Sequence, residues 1–449
     1  MEKIRIEKEV EVTGEYDLLV AGGGVAGVAA AVTASRMGKK VLLIEKTITL
    51  GGLGTIGLVN FFEPICNGRG TVVMKGLAQE MFELSIKKSY DTLPSEWKDL
   101  KGPGESATTR LETGYSVNIF IIQLTKWLKD ENVDILFDTV VTQPVMEGGK
   151  CVGLVVENKT GTQFYKGKMV IDATGDADVM ERAGMPTELG KNYHTFYASV
   201  TDLESCQNAI DKQDIHEIYA KKLWPGRSNM LGWFHPEDVP FWTPTAEHIT
   251  DYVVRNHVDL IDSLNEEDRM TRDITELPHM PQFRTSRRLI GDYTFTTDDV
   301  YKHFDDSVGV CCDFSKKHYI FEIPYGVIHK EGFDNILAAG RVTSGGGWGW
   351  DILRVIPPCI ATGQAAGAAA SIAENGKFVV PSTWVAVNGD GYSWTKTGIS
   401  ETVCELSEGG EYRYVICMAP TRDFVNDSST ASVGMPAQVS EITPFVKVF

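Results

Sequence analysis

Three kinds of residue in this chain have types and spacing suited to chemistry. The first is glycine: the run VAGGGVAGVAA sets Gly22, Gly24 and Gly27 in a G-x-G-x-x-G pattern. Gly22 permits a sharp turn, Gly24 lets the backbone approach a pyrophosphate, and Gly27 lets the next helix pack closely. Glu45 follows Gly22 by 23 residues, near the spacing at which an acid reaches a ribose hydroxyl. The second kind is cationic. QFRTSRRLIGDY carries Arg284, Arg287 and Arg288, whose guanidinium forks match a carboxylate or phosphate. The plainer expectation is that two of them pair with acids such as Asp292 or Glu276. His279, His318 and His194 are acid/base candidates against a background of ordinary core and surface histidines. Arg284, Arg287 and His279 are the expected catalytic set. The third kind is thiol. Eight cysteines occur without a CxxC spacing, so neither a metal site nor a disulfide framework is expected. Cys311 and Cys312 adjoin in a strand-like run, which favours packing over redox chemistry. Cys359 also reads as a packed thiol.

These residues need elements to position them. Asp17–Ala21 reads as a strand, Val25–Met37 as a buried Ala-rich helix and Val41–Ile44 as a second strand. Ile4–Val12 alternates as a short edge strand would. Gly51, Gly52, Gly54 and Gly57 form a loop that continues a phosphate or ring cradle. Met74–Tyr90 and Val117–Asp130 have helical spacing, with a polar surface excursion over 91–114. Val133–Leu136 and Thr139–Thr142 are β-like, and Cys151–Glu157 with Thr162–Tyr165 reads as a hairpin. Lys168–Asp178 is a strand running into Ala-Thr-Gly, and Asn335–Arg341 a strand ending in Ala-Ala-Gly-Arg. Ile360–Ala373 is a helix of small residues. From 179 to about 317 the periodicity breaks, as in an insertion. Residues 376–449 hold short β-like pieces such as Tyr412–Met418.

The expected fold class is therefore α/β. It comprises a Rossmann-like domain with a parallel central sheet, an inserted α+β substrate or cap domain, and a small C-terminal β-rich appendage. The nucleotide-binding domain is expected over 14–60, 115–180 and 330–375, the cap over 61–114 and 181–329, and the appendage over 376–449. A formal net charge of −18 disfavours nucleic-acid and anionic-membrane partners. No apolar h-region or run of 18 apolar residues is seen, so neither a signal peptide nor a membrane span is expected. Reduced thiols suit a cytoplasmic location.

Glycine turns near residues 22, 175 and 340 lie far apart in sequence. A nicotinamide dehydrogenase completes its cofactor site within one continuous domain. A site that returns after a long insertion points to a larger dinucleotide, FAD. The stretches VAGGGVAGVAAAVTASRMGKKVLLIEK, LGGLGTIGLVN, MVIDATGDADV, NILAAGR and LRVIPPCIATGQAAGAAA resemble the FAD-dependent oxidoreductase family of glutathione-reductase-like flavoproteins over about 14–375. RTSRRLIGDY is similar to an arginine-rich stretch of that family's substrate domain.

The resemblance implies noncovalent FAD. Gly22, Gly24, Val25 and Ala26 would meet the pyrophosphate, with Gly27 in the same motif. Glu45 and Lys46 would meet the adenosine ribose, and Gly52, Leu53 and Thr55 the phosphates or flavin. Val141, Ala173, Thr174 and Gly175 would hold the adenine side. Gly340, Arg341, Arg354, Ile356 and Pro357 would flank the ribitol and ring. Tyr325 and Trp348 are candidates to line the ring or to pack in the core. The implied activity is hydride transfer between a small polar organic substrate and flavin N5. A homo-oligomer and an unidentified electron acceptor stay open as partners. A single-Rossmann NAD-dependent dehydrogenase, or a non-enzymatic flavin-binding electron carrier, are the alternatives.

Overall fold

The computed structural model describes residues 7–193, 195–227, 241–264, 268–373, 402–405 and 411–414. The chain starts with strand β1 (Val12–Ala21), helix α1 (Val25–Arg36) and β2 (Val41–Ile44). Of the expected edge strand over Ile4–Val12, residues 4–6 lie outside the described residues, 7–11 are not in a strand, and Val12 is the first residue of β1. Short β3 (Phe61–Phe62), α2 (Leu77–Ile86) and β4 (Thr113–Gly114) precede α3 (Val117–Asp130), whose N-cap is Ser116. Then come β5 (Asp134–Leu136), β6 (Val140–Glu147), β7 (Lys150–Asn158) and β8 (Gly161–Asp172). The expected hairpin strand at 162–165 and the strand at Lys168 are one continuous element, β8.

The insertion supplies α4 (Asp178–Arg182), β9 (Thr187–Leu189), β10 (Asn192–Tyr193), β11 (Thr195–Asp202), α5 (Leu203–Lys212) and α6 (His216–Tyr219). It continues with β12 (Lys222–Arg227), β13 (Phe241–Trp242), α7 (Ala246–Asp262), β14 (Arg272–Glu276) and β15 (Arg287–Leu289). β16 (Ser307–Cys312), β17 (Ile320–Pro324), β18 (Ile336–Ala338), α8 (Trp348–Leu353) and α9 (Ile356–Ile372) complete the body. In the C-terminal region β19 (Thr402–Glu405) pairs antiparallel with β20 (Glu411–Tyr414). The remainder of the expected appendage lies outside the described residues.

The central sheet runs β5-β2-β1-β8-β7-β6, with β18 also on β8. Pairs β5–β2, β2–β1, β1–β8 and β8–β18 are parallel, while β7 adds antiparallel to the first half of β8. The architecture is a Rossmann-like α/β fold. Its register decides the rest: Ala21 pairs with Ile44 and with Asp172, and Ala338 pairs with Asp172. Four strands thus end level, and the turns that follow them emerge along one edge. Ligands of open α/β sheets bind at that carboxyl edge.

Helices α1 and α9 cover one face of the sheet and cross closely. A Cβ on Gly363 would stand 2.2 Å from the Ala26 carbonyl oxygen, and one on Gly367 would stand 2.4 Å from that of Ala30. The glycine–alanine spacing of four residues on each helix makes this approach. Residues of 61–114 (Phe62, Cys66, Phe82, Trp97) and of 295–328 (Phe295, Cys311, Phe321, Val327) share one core with these helices. A separate small core joins β11 to α7 through Phe196, Trp242, Tyr252 and Phe283. The sheet β12-β11-β14 carries that second core.

Candidate functional site

The level strand ends build a cavity of about 350 Å³. Its wall takes Gly22, Gly24, Val25 and Ala26 from the first turn, Glu45 and Lys46 from the second, and Ala173, Thr174 and Gly175 from the third. Gly340 and Arg341 come from the fourth, Gly52 and Leu53 from the glycine loop, Val141 from β6, and Arg354 and Ile356 from the approach to α9. Gly27, Thr55 and Pro357 do not line it. Gly27 is inside the fold, where a Cβ would lie 1.9 Å from the Gly22 oxygen; Thr55 Oγ1 donates to the Leu50 carbonyl at 2.6 Å.

The glycines divide their work visibly. Gly22 has φ +107°, and a Cβ there would sit 2.3 Å from the Ala173 oxygen. A Cβ on Gly24 would meet nothing within 4 Å. That open space lies at the N-terminus of α1, whose first N–H groups lack intrahelical acceptors and favour an anion. A cradle that only a missing Cβ leaves open fits a pyrophosphate. Glu45 is held beside it: Oε2 accepts from Gly23 N–H at 2.6 Å, and Oε1 accepts from Thr47 N–H and Oγ1 at 2.8 Å each.

Two expected ligands are occupied by protein. The Arg341 guanidinium donates to the Gly175 carbonyl at 2.7 Å, to Asp176 Oδ1 at 2.9 Å and to the Phe283 carbonyl. It lines the cavity but acts as a strut between the third turn and the insertion. At α9, Pro357 and Pro358 have no N–H to offer. The Ile356 N–H remains, and it donates to Glu63 Oε2 at 3.3 Å.

The insertion is stitched to the glycine loop residue by residue. His279 N–H donates to the Ile56 carbonyl at 2.8 Å, Gln282 Nε2 to that of Gly57 at 2.9 Å, and Tyr197 OH to that of Leu58 at 2.7 Å. Lys222 Nζ donates to Asn60 Oδ1 at 3.2 Å and stands 4.5 Å from the centre of the Tyr197 ring. This contact brings His279, Met280 and Pro281 onto the cavity wall. His279 is exposed, at the mouth.

The arginines separate. Arg287 pairs with Asp178 at 3.6 Å and Arg288 with Glu188 at 2.5 Å. Two of the three are ion-paired, as the plainer expectation had it, but the acids are not Asp292 or Glu276. Asp292 instead holds His329 and Lys330. Arg284 is enclosed by protein yet keeps accessible surface. Its guanidinium donates to the Gln282 carbonyl at 3.2 Å and interacts with Tyr197. Among the described residues no carboxylate ion-pairs with it. Burial, with the charge of Arg354, pulls its pKa down.

Glu63, missed by sequence reasoning, shares this space. Enclosure pushes its carboxyl up to about 7, against the Ile356 N–H and the charges of Arg354 and Arg284. Arg354 is itself held by Asp351 Oδ1, at 2.8 Å through Nε. Burial and the Arg284 charge bring Lys222 down to about 8. The sequence places residues 61–66 only within the expected cap over 61–114, and no spacing links Glu63 to Arg284.

The other candidates fall away. Cys312 is buried in β16, donates to the Pro64 carbonyl, and burial pushes it up to about 12; Cys311 is buried and free. Cys359 lines the cavity, but its thiol bonds the Arg354 carbonyl and burial lifts it to about 12. Tyr325 stacks on His329, and Trp348 donates to Asp313 Oδ2, both away from the cavity wall. His318 sits by Arg69 and Arg110, off that wall. His194 lies outside the described residues. Among the described residues no metal-ligating cluster occurs, and no helix is long and apolar enough to cross a membrane.

Comparison with known proteins bears on the whole arrangement. A digeranylgeranylglycerophospholipid reductase of Methanoculleus marisnigri is 30% identical over 182 residues, 38% of this chain and 42% of that protein. A tRNA uridine 5-carboxymethylaminomethyl modification enzyme of Streptococcus gordonii is 34% identical over 174 residues, 37% of this chain and 24% of that one. The chain thus spans half or less of the length of the curated relatives it matches. A geranylgeranyl bacteriochlorophyll reductase-like protein of Thermoplasma acidophilum superposes with a TM-score of 0.38 at 17% identity, over 80% of this chain and 77% of that one. The family model for FAD dependent oxidoreductases matches residues 17–229 and 253–381. The chain belongs to the FAD-dependent oxidoreductase family, and FAD is its cofactor.

Proposed function

We propose that the protein oxidises or reduces a small polar organic molecule held between the carboxyl edge of the sheet and the insertion. FAD supplies the two-electron chemistry when bound. The residues that would hold it noncovalently are those of the four turns: Gly22 to Ala26 at the pyrophosphate and Glu45 at the ribose. Val141 and Ala173–Gly175 would serve the adenine side, and Gly52, Leu53, Gly340, Arg354 and Ile356 the ring side. The insertion then acts as a cap that keeps water from the ring and orients the substrate. Within it Arg284 anchors an anionic group, while His279 guards the mouth as a proton-exchanging group.

The observation that carries this reading is Arg284 itself. A largely enclosed cation with no carboxylate partner among the described residues is unfavourable unless something else completes it; Arg284 is off the cavity wall, but Arg354, whose charge acts on it, is on that wall. Arg287, tied to Asp178, is assigned a structural part rather than a catalytic one. The test is a panel of small alcohols, amines and carboxylic acids added anaerobically to the FAD-loaded protein. Bleaching of the visible flavin band by a member of the panel supports the reading; a purified protein that neither contains nor binds FAD defeats it.

A further inference from the structure

We propose that Glu63, Arg284 and Arg354 form the seat of an organic carboxylate, which is taken up together with one proton on Glu63. The inference rests on the reading just given and adds the ligand's chemical class and its proton. It starts from an imbalance. Arg354 is satisfied by Asp351, and Lys222 has Asn60 and the Tyr197 ring, with Glu276 near. Among the described residues Arg284 has only a carbonyl and a tyrosine oxygen. Guanidinium carries more donors than these two acceptors use, in a planar fork that matches a carboxylate.

Among the described residues no carboxylate ion-pairs with Arg284; Glu63, on which the Arg284 charge acts, accepts instead from the Ile356 N–H at 3.3 Å. Among the described residues, the titratable and charged groups that act on Glu63 come from several elements. They are Arg354 after α8, Arg284 before β15, Tyr115 before α3, Tyr197 on β11 and Cys359 on α9. Neither Glu63 nor Arg284 lines the 350 Å³ cavity, but both keep accessible surface, and Ile356, which donates to Glu63, and Arg354, whose charge acts on both, are on its wall. A carboxylate entering that space adds a second negative charge beside Glu63. Like charges at close range disfavour joint ionisation, so Glu63 takes a proton. The neutral carboxyl then donates a hydrogen bond where the anion would repel.

The sign follows from the free state. Glu63 titrates near 7 before binding and higher afterwards. Uptake is therefore small at pH 6 and close to one proton at pH 8, and affinity falls about tenfold across that range. Lys222, near 8, adds at most about a twofold loss at the upper end.

The experiment is calorimetry on the FAD-loaded protein at pH 6, 7 and 8, in buffers of different ionisation heat. The probes are acetate, lactate, malonate, succinate and benzoate, with acetamide and lactamide as neutral controls. The expected result is binding of a carboxylate but not its amide, with proton uptake rising with pH. Glu63→Gln, which keeps the acceptor for Ile356 N–H, abolishes the uptake and leaves at most the small Lys222 effect. Arg284→Gln weakens binding by about tenfold or more. Flavin absorbance in each variant reports whether the fold and FAD survive; should Glu63→Gln lose FAD, Glu63→Asp retains a titrating carboxyl and must retain the uptake. Carboxylate binding without proton uptake, uptake that persists in Glu63→Gln, or no carboxylate bound by an FAD-replete protein each overturns the inference while leaving the redox reading in place. A protein that binds carboxylates with uptake but never FAD overturns that reading instead.

Discussion

The cofactor edge and the Glu63–Arg284 cluster adjoin, yet they are made in opposite ways. The edge is backbone: four level strand ends, glycines that admit close approach, and the first N–H groups of α1. The cluster is side chains, drawn from residues 63, 197, 222, 284 and 354 on segments with no common motif. The first is fixed once the sheet forms. The second depends on how the insertion is stitched to the loop at Ile56–Asn60. On the function proposed above, a site built on both would keep its cofactor geometry while substrate chemistry is set elsewhere.

Substitutions that separate the two regions test this directly. The largest effect is expected from Gly27→Val, whose side chain must displace a carbonyl oxygen 1.9 Å from the Cβ position. The protein should lose FAD and several kcal/mol of stability, on the order of 3 kcal/mol or more, read by flavin absorbance and denaturant midpoint. A folded, FAD-replete Gly27→Val would show that the turn does not control the edge.

Glu63→Gln comes next and is read through pH. A carboxyl raised from 4.5 to about 7 in the folded state contributes stability fully present below 4.5 and lost as pH rises through 7. Relative to wild type, Glu63→Gln should gain on the order of 3 kcal/mol between pH 4 and pH 8, measured by chemical denaturation. Asp172, raised to about 6 by burial, titrates in both proteins and cancels in the difference.

Arg284→Gln should retain FAD and lose about 10- to 100-fold in kcat/KM on an anionic substrate. An equal loss on a neutral substrate would dissolve the distinction between cofactor edge and cluster. Gly24→Ala should leave the apoprotein's stability unchanged, because its Cβ meets nothing within 4 Å, and weaken FAD by roughly tenfold through the pyrophosphate cradle. The smallest effect belongs to Arg287→Ala, whose 3.6 Å pair with Asp178 is worth about 1 kcal/mol or less. Carboxylate affinity should not move.

The same contrast explains what could be read from the chain. Val41–Ile44 and Val117–Asp130 match the expected elements residue for residue, because local periodicity and caps determine them. The turns at Gly22, Gly175 and Gly340 were visible because a backbone cradle has few sequence solutions. Arg341 was expected to flank the ribitol and ring and is a strut on the cavity wall, since composition does not tell which acceptor a long side chain reaches first. Glu63 left no trace, because its meaning comes from residues more than a hundred positions away. The small-residue character of α9 was legible; the removal of its free donors by Pro357 and Pro358, and the gift of the remaining one to Glu63, was a matter of tertiary placement.

Arg341 joins Gly175, Asp176 and the backbone of Phe283 through one guanidinium. Its consequence is architectural. The inserted segment cannot be swapped for a relative's as an independent cassette, since a graft must present a carbonyl where Phe283 presents one. Chimeras that ignore this requirement would leave a buried cation short of an acceptor at the seam.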